Sequence, residues 1–292
     1  MKRASIIAIV AAIVAAVASS SHAAEVQHPS EAFKVQVSGE GKPMILIPGL
    51  ASSGEVWDST VARYRANYRC HVLTLAGFAG VPATQGDLLQ QAEASLSRYI
   101  SAQHLDRPVI VGHSLGGMLA LKLAEDHPEQ VGRLVIVDSL PALGATRIPH
   151  ATPEQLQAVA AQVRDNMEHN DGAQADSARH EIIASMVSAP ADIERVEAWG
   201  KASDRHVVAE SMYDVLASDL RPQLPQIKAP TLVLGTWIAY KQYAPKAAIE
   251  ATFQQQYAGL SGVKIEMADA ARHFIMYDDP SWMFDRMDAF LQ

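Results

Sequence analysis

Apolar and polar positions alternate between two rhythms over the first half of the chain, and the pattern changes near residue 140. Phe33 to Val37 alternates with period two, as a strand with one face in the core does, and Gly39 to Pro43 supplies the turn after it. Met44 to Ile47, Val72 to Leu75, Val109 to Val111 and Arg133 to Val137 are short, mostly apolar runs, the pattern of strands covered on both faces. Between them the spacing turns helical. Leu88, Leu89, Ala92, Leu96 and Ile100 form one stripe of a helix from Asp87 to Ser101, another helix begins near Val56, and a third pattern runs from Met118 to Glu125. Strands alternating with helices imply a mostly parallel sheet with right-handed crossovers.

From Pro141 to about Pro225 no strand run appears. Glu154 to Met167 and Ala209 to Leu216 read as helices, with Pro149, Pro190 and Pro222 as punctuation. The strand rhythm returns at Ala229 to Gly235 and at Val263 to Met267. A closing helix follows from Asp279-Pro280, with Trp282, Met283, Met287 and Phe290 on one face.

Composition narrows the class. The chain has 292 residues, 49% hydrophobic and 19% charged, which suits one α/β domain with an insertion. A net charge of -8 without any Lys/Arg cluster excludes nucleic acid as a partner, because such binding needs a basic face to displace counterions. The N-terminus has the form of an export signal: Lys2 and Arg3, an apolar run from Ile6 to Ala18, then Ser21 and Ala23 at the two positions a signal peptidase reads. Residues 1–23 are therefore expected to be removed, leaving a periplasmic or secreted protein without stable membrane insertion. Cys70 is the only cysteine, which rules out an intramolecular disulfide and suits a buried structural thiol.

The densest chemical signal is Val109-Ile110-Val111-Gly112-His113-Ser114-Leu115-Gly116-Gly117, in which a β-branched run passes through Gly-x-Ser-x-Gly into a helical pattern. Strand, sharp turn and helix hold such a serine on strained backbone with its hydroxyl outward, and Gly112 and Gly116 omit the Cβ atoms that would clash. Near the C-terminus stands His273, in the setting His-Phe-Ile-Met-x-Asp-x-Pro. On these features the chain resembles the α/β-hydrolase superfamily, over nearly all of its length after the export segment.

The resemblance implies an α/β-hydrolase fold, a mostly parallel central sheet flanked by helices, with the core in residues 24–140 and 226–292 and a helical cap in 141–225. It implies Ser114 as nucleophile and His273 as general base. The oxyanion hole falls to the backbone N–H groups of Leu50, in the loop Pro48-Gly49-Leu50-Ala51, and of Leu115. The family often has His-Gly where this chain has Pro48-Gly49. Most relatives carry an acidic residue after the seventh strand, yet Gly235-Thr236-Trp237-Ile238-Ala239-Tyr240-Lys241 contains none. Some members place the acid one strand earlier, at the end of what is the family's sixth strand, where Asp138 stands. Asp138 is thus the expected orienting acid, with Asp269 of the histidine loop as runner-up. His113 is expected to pack away from the nucleophile.

A serine hydroxyl needs a neighbouring base to lose its proton as it attacks, and histidine supplies one at neutral pH. Phe78, in the loop Ala76 to Gly80, and Trp237 and Tyr240 are candidate pocket walls for an apolar acyl group. No metal-ligand spacing and no phosphate or dinucleotide glycine loop occurs, so neither a metal nor a cofactor is expected. A serine nucleophile separates the chain from haloalkane dehalogenases and epoxide hydrolases, which resemble this fold but attack with Asp. The expectation is an exported serine hydrolase cleaving small carboxylic esters through an acyl-enzyme. Two alternatives stay open: a ligand-binding or sensing protein, motivated by the absent acid, and another triad reaction, on an amide, thioester, lactone or C–C bond or in perhydrolysis. Neither the substrate nor the oligomeric state is written in these residues.

Overall fold

The computed structural model describes residues 32–146, 148, 151–170 and 172–292. The expected export segment, residues 1–23, lies outside them. Seven strands form one sheet: β1 (Phe33–Ser38), β2 (Lys42–Ile47), β3 (Tyr68–Leu75), β4 (Val109–His113), β5 (Arg133–Val137), β6 (Thr231–Thr236) and β7 (Lys264–Ala268). Their order is β1-β3-β2-β4-β5-β6-β7, with β1 antiparallel to β3 and every other pairing parallel.

Alternate strand residues face two cores, because successive side chains of a strand point to opposite faces. Ile45, Ile47, Leu73, Ile110, Leu134, Ile136 and Val233 pack with α2 (Leu88–Ala102), α3 (Leu115–Asp126) and α8 (Lys246–Gln256). Met44, Leu46, Val72, Val111, Val135, Val137 and Leu234 pack on the other face, with α1 (Asp58–Tyr64) and α10 (Pro280–Leu291). Covering on both faces explains why these strands read as apolar runs rather than as alternation. Each wholly buried aliphatic side chain contributes roughly 1.5–3 kcal/mol, so the strand leading to Ser114 is anchored from both sides. Cys70 lies buried in β3, and burial pushes its thiol up to about 11.

Between β5 and β6 lie α4 (Pro153–His169), α5 (Ala173–Met186), α6 (Pro190–Lys201) and α7 (Arg205–Ala217). Helix α4 opens with a reciprocal cap, in which the Thr152 hydroxyl accepts from Gln155 N–H and Gln155 Oε1 accepts from Thr152 N–H. The connector from α6 to α7 is bonded to the loop after β3: Gly80 N–H donates to Ala202 O at 3.0 Å, Ala79 N–H to Ser203 Oγ at 2.9 Å, and Asp204 N–H to Gly77 O at 2.7 Å. No helix among the described residues is long and apolar enough to cross a membrane.

Several elements differ from the sequence reading. Strand β3 begins at Tyr68 rather than Val72, because Tyr68 and Arg69 pair with Lys42 and Pro43 of β2 ahead of the apolar run. Helix α5 was not expected, and no residue of it is buried, so it presents no apolar stripe. In α6, Pro190 occupies the first turn, where a missing N–H costs nothing, and so opens a helix instead of interrupting one. Helix α8 buries only Phe253 and Gln256, too few positions to reveal a period.

Candidate active site

Ser114 joins β4 to α3 with φ 53° and ψ -120°, a conformation that costs a non-glycine residue about 1–3 kcal/mol and persists only when its surroundings dictate it. Its N–H donates to Val137 O of β5 at 3.0 Å, and its carbonyl accepts from Gly117 N–H at 2.8 Å and Met118 N–H at 3.1 Å. A Cβ on Gly116 would lie 2.4 Å from the carbonyl oxygens of both Ile47 and Pro48, so only glycine lets α3 start against the end of β2. The same loop then passes the nucleophile: a Cβ on Gly49 would lie 2.9 Å from His113 Nδ1 and 3.2 Å from Ser114 Cβ. Leu50 is the next residue of that loop. Leu115 opens α3, where helix geometry leaves the first N–H groups without a partner inside the helix.

His273 follows β7, just ahead of α9 (Ile275–Asp278). Its Nδ1 donates to Asp138 Oδ2 at 2.6 Å, with side chains 19% and 6% exposed. Asp138 is itself in the left-handed region, φ 44°, and its N–H donates to Leu234 O at 2.7 Å. Thr236 N–H donates to Asp138 Oδ1 at 3.0 Å, so both carboxylate oxygens have donors. The Thr236 hydroxyl donates to Ala271 O, fastening the histidine loop to the end of β6. Behind the site, Tyr257 OH donates to Ser139 O at 2.8 Å; burial, reinforced by the nearby Asp138 charge, pushes the phenol well above its ordinary range.

His113 does not face solvent. It is buried against His273, with ring centroids 4.5 Å apart, and its Nε2–H donates to His273 O at 3.1 Å. Desolvation first, and then the neighbouring imidazole, hold it well below the usual histidine range. It is therefore a neutral packing group whose proton sits on Nε2.

At the carboxyl ends of β2, β4, β5 and β7, Gly49 lies against Ser114 and His113, His113 against His273, and His273 against Asp138. Asp269 stands outside that group. Asp269 is exposed and ion-paired with Lys246 at 2.6 Å, while Trp237 Nε1–H donates to it at 3.1 Å; these bonds, Lys246 first, hold its carboxyl below the usual range. The aromatic candidates scatter. Phe78 is wholly buried in the core cluster, in a loop where Gly77 passes close to Val207 of α7. Trp237 is held beside Asp269, and Tyr240 lies 45% exposed on a short 3-10 turn, Ile238–Tyr240. Thr236 carried no signal in the sequence reading. It is the last residue of β6, immediately before the segment expected to carry an acid.

Among the described residues, one further set of metal-type donors occurs, Glu168, His206 and Glu210, all within 4.8 Å of one another. There His206 Nδ1 is paired with Glu168 at 2.6 Å and Arg164 with Glu210 at 3.4 Å. These are ordinary surface ion pairs joining α4 to α7.

The model of the Alpha/beta hydrolase family matches residues 44–286, a span that contains Ser114, Asp138 and His273. The chain is 28% identical over 246 residues to the pimeloyl-[acyl-carrier protein] methyl ester esterase of Aeromonas salmonicida (strain A449), covering 81% of this chain and 91% of that protein. With the protein of the same name from Vibrio atlanticus (strain LGP32) identity is 32% over 120 residues, which spans 41% of this chain and 45% of that protein. Among solved structures, the enol-lactonase from Burkholderia xenovorans LB400 superposes with a TM-score of 0.73 at 18% identity, over 89% of this chain and 96% of that one. At such identity the likeness concerns the fold alone.

Proposed function

The chain belongs to the alpha/beta hydrolase family, and on that premise we propose that it cleaves carboxylic esters of apolar acyl groups through an acyl-enzyme on Ser114. The observation that carries this reading is the 2.6 Å contact from His273 Nδ1 to buried Asp138, set beside a serine on strained backbone. Ser114 Oγ attacks the ester carbonyl as His273 Nε2 takes its proton, and Asp138 steadies the imidazolium that forms. The developing oxyanion is met by the N–H groups of Leu50 and Leu115. Collapse of the tetrahedral species breaks the C–O bond, with His273 returning the proton to the leaving alcohol. Water then enters by the same route in reverse roles and releases the acid.

The ester class is supported by the relatives, whose name is that of methyl ester esterases. Residues 141–225 serve in this reading as a cap over the nucleophile, and residues 1–23 as an export signal that places the enzyme outside the cytoplasm. A fusion of residues 1–31 to a reporter that is active only after export tests the last point, and an inactive fusion rejects it.

Labelling of Ser114 by a fluorophosphonate, with turnover of p-nitrophenyl esters that vanishes in Ser114→Ala, is the expected result. Folded wild-type protein that is neither labelled nor active overturns the proposal. Ligand binding that survives Ser114→Ala without any turnover would instead support a sensor.

A further inference from the structure

The loop carrying His273 is bonded to the helical insertion as well as to the sheet. Phe274 N–H, one residue beyond the histidine, donates to Met186 O at 3.1 Å. Arg272, one residue before it, sends its guanidinium to Ala184 O and to Val187 O, the latter at 3.2 Å. Asp278 ties the two segments together. Its Oδ2 accepts from Arg272 N–H at 2.8 Å and from Ser188 Oγ at 3.1 Å, and its Oδ1 accepts from Ser188 N–H at 2.9 Å. The residues on both sides of His273 therefore hang on the end of α5 and the α5–α6 connector, Val187 to Ala189, across about ninety positions of sequence. Val187 is buried in the same core cluster as Phe274 and Ile275, so packing and hydrogen bonds act at the same place.

We propose that Asp278 is a positioning residue for His273, holding its loop to the α5–α6 connector so that the helical insertion and the general base shift as one body. The inference rests on the esterase reading above and adds a requirement to it. A lid that swings freely over a fixed site would need these bonds broken at every turnover. Five hydrogen bonds at one joint, two of them to a carboxylate, make that opening costly. A substrate that pushes on α5 or α6 instead displaces Arg272 and Phe274, and with them the imidazole. The insertion thus affects the chemical step as well as binding.

Steady-state hydrolysis of a p-nitrophenyl ester and the rate of fluorophosphonate labelling test this in four variants. Asp278→Asn is expected to lower kcat by about 10- to 100-fold with KM within about twofold, because misplacing a catalytic group by about 1 Å costs up to 100-fold. Ser188→Ala, a milder loss, is expected to lower kcat about 3- to 10-fold, and Ser188→Thr, which keeps both donors, to restore it. Asp176→Asn, on the exposed face of α5, is the control and leaves kcat unchanged. Labelling rates should fall in parallel with kcat. If Asp278→Asn fails to fold, the Ser188 pair carries the test. Folded Ser188→Ala with wild-type kcat, or a loss confined to KM, overturns the proposal. An inactive wild-type protein overturns the esterase reading instead; hydrogen exchange at the Phe274 amide then decides the fastening, which requires faster exchange in Ser188→Ala and is refuted by an unchanged rate.

Discussion

Near the N-terminal end of α3, Asp138 is 8% exposed and both its oxygens have donors, Thr236 N–H and His273 Nδ1. Toward the C-terminal end, Glu125 is 3% exposed and its Oε1 has no hydrogen-bond partner. Burial, with the adjacent Asp126 charge adding to it, pushes the Glu125 carboxyl up to about 8 against the opposing pull of Lys122. The deeper of the two carboxyls is the one left with an oxygen that has no partner. Donors from the end of β6 and from the histidine loop suit the first to the role proposed for it. Their absence leaves the second a stability cost.

The largest effect should come from removing the charge that is well supplied with donors. Asp138→Asn is expected to fold yet lower kcat on the order of 10⁴-fold, because the amide holds the imidazole in the wrong tautomer. Near-normal ester turnover in that variant would end the comparison. Next is Glu125. Its folded value, about 8, lies above the ordinary carboxylate value of 4.5, so the folded state holds the extra proton. Stability is therefore intact below about pH 4.5, falls as pH rises toward 8, and levels off above that, for a total of about 5 kcal/mol. Urea unfolding across pH 5 to 9 should show the decline in the wild type and a flatter profile in Glu125→Gln, with kcat unaltered.

A smaller effect is expected from Thr236→Val, which keeps the N–H to Asp138 but deletes the hydroxyl bonded to Ala271. Loss of one such bond, about 1 kcal/mol, should lower kcat roughly fivefold at unchanged KM. Asp269→Asn should do least. Its exposed pairing with Lys246 is screened by solvent, and kcat should stay within about twofold of wild type. A large loss there would mean that Asp269, and not Asp138, orients the histidine.

What could be read from the chain was local. The turn at Ser114 is encoded within nine consecutive residues, and Val109 to Val111 and Arg133 to Val137 are apolar runs because both faces of the sheet are covered. Asp138 was legible through an absence, the missing carboxylate after β6. The joint between Ser188 and Asp278 was not legible, since its partners stand ninety positions apart and neither belongs to an apolar period. Helix α5 escaped notice for a related reason: with none of its residues buried, burial leaves no mark on its sequence.

The hydrogen bond from Asp138 N–H to Leu234 O and that from Thr236 N–H to Asp138 seat the proposed acid on a carbonyl and an amide of β6 rather than on any side chain beyond that strand. In that reading the proton relay draws on no side chain of residues 237–245. Lengthening, shortening or grafting that segment is expected to leave the proposed proton relay intact so long as β6 keeps its last residue. Directed evolution of substrate preference therefore has a stretch of backbone it can rewrite without touching the reaction.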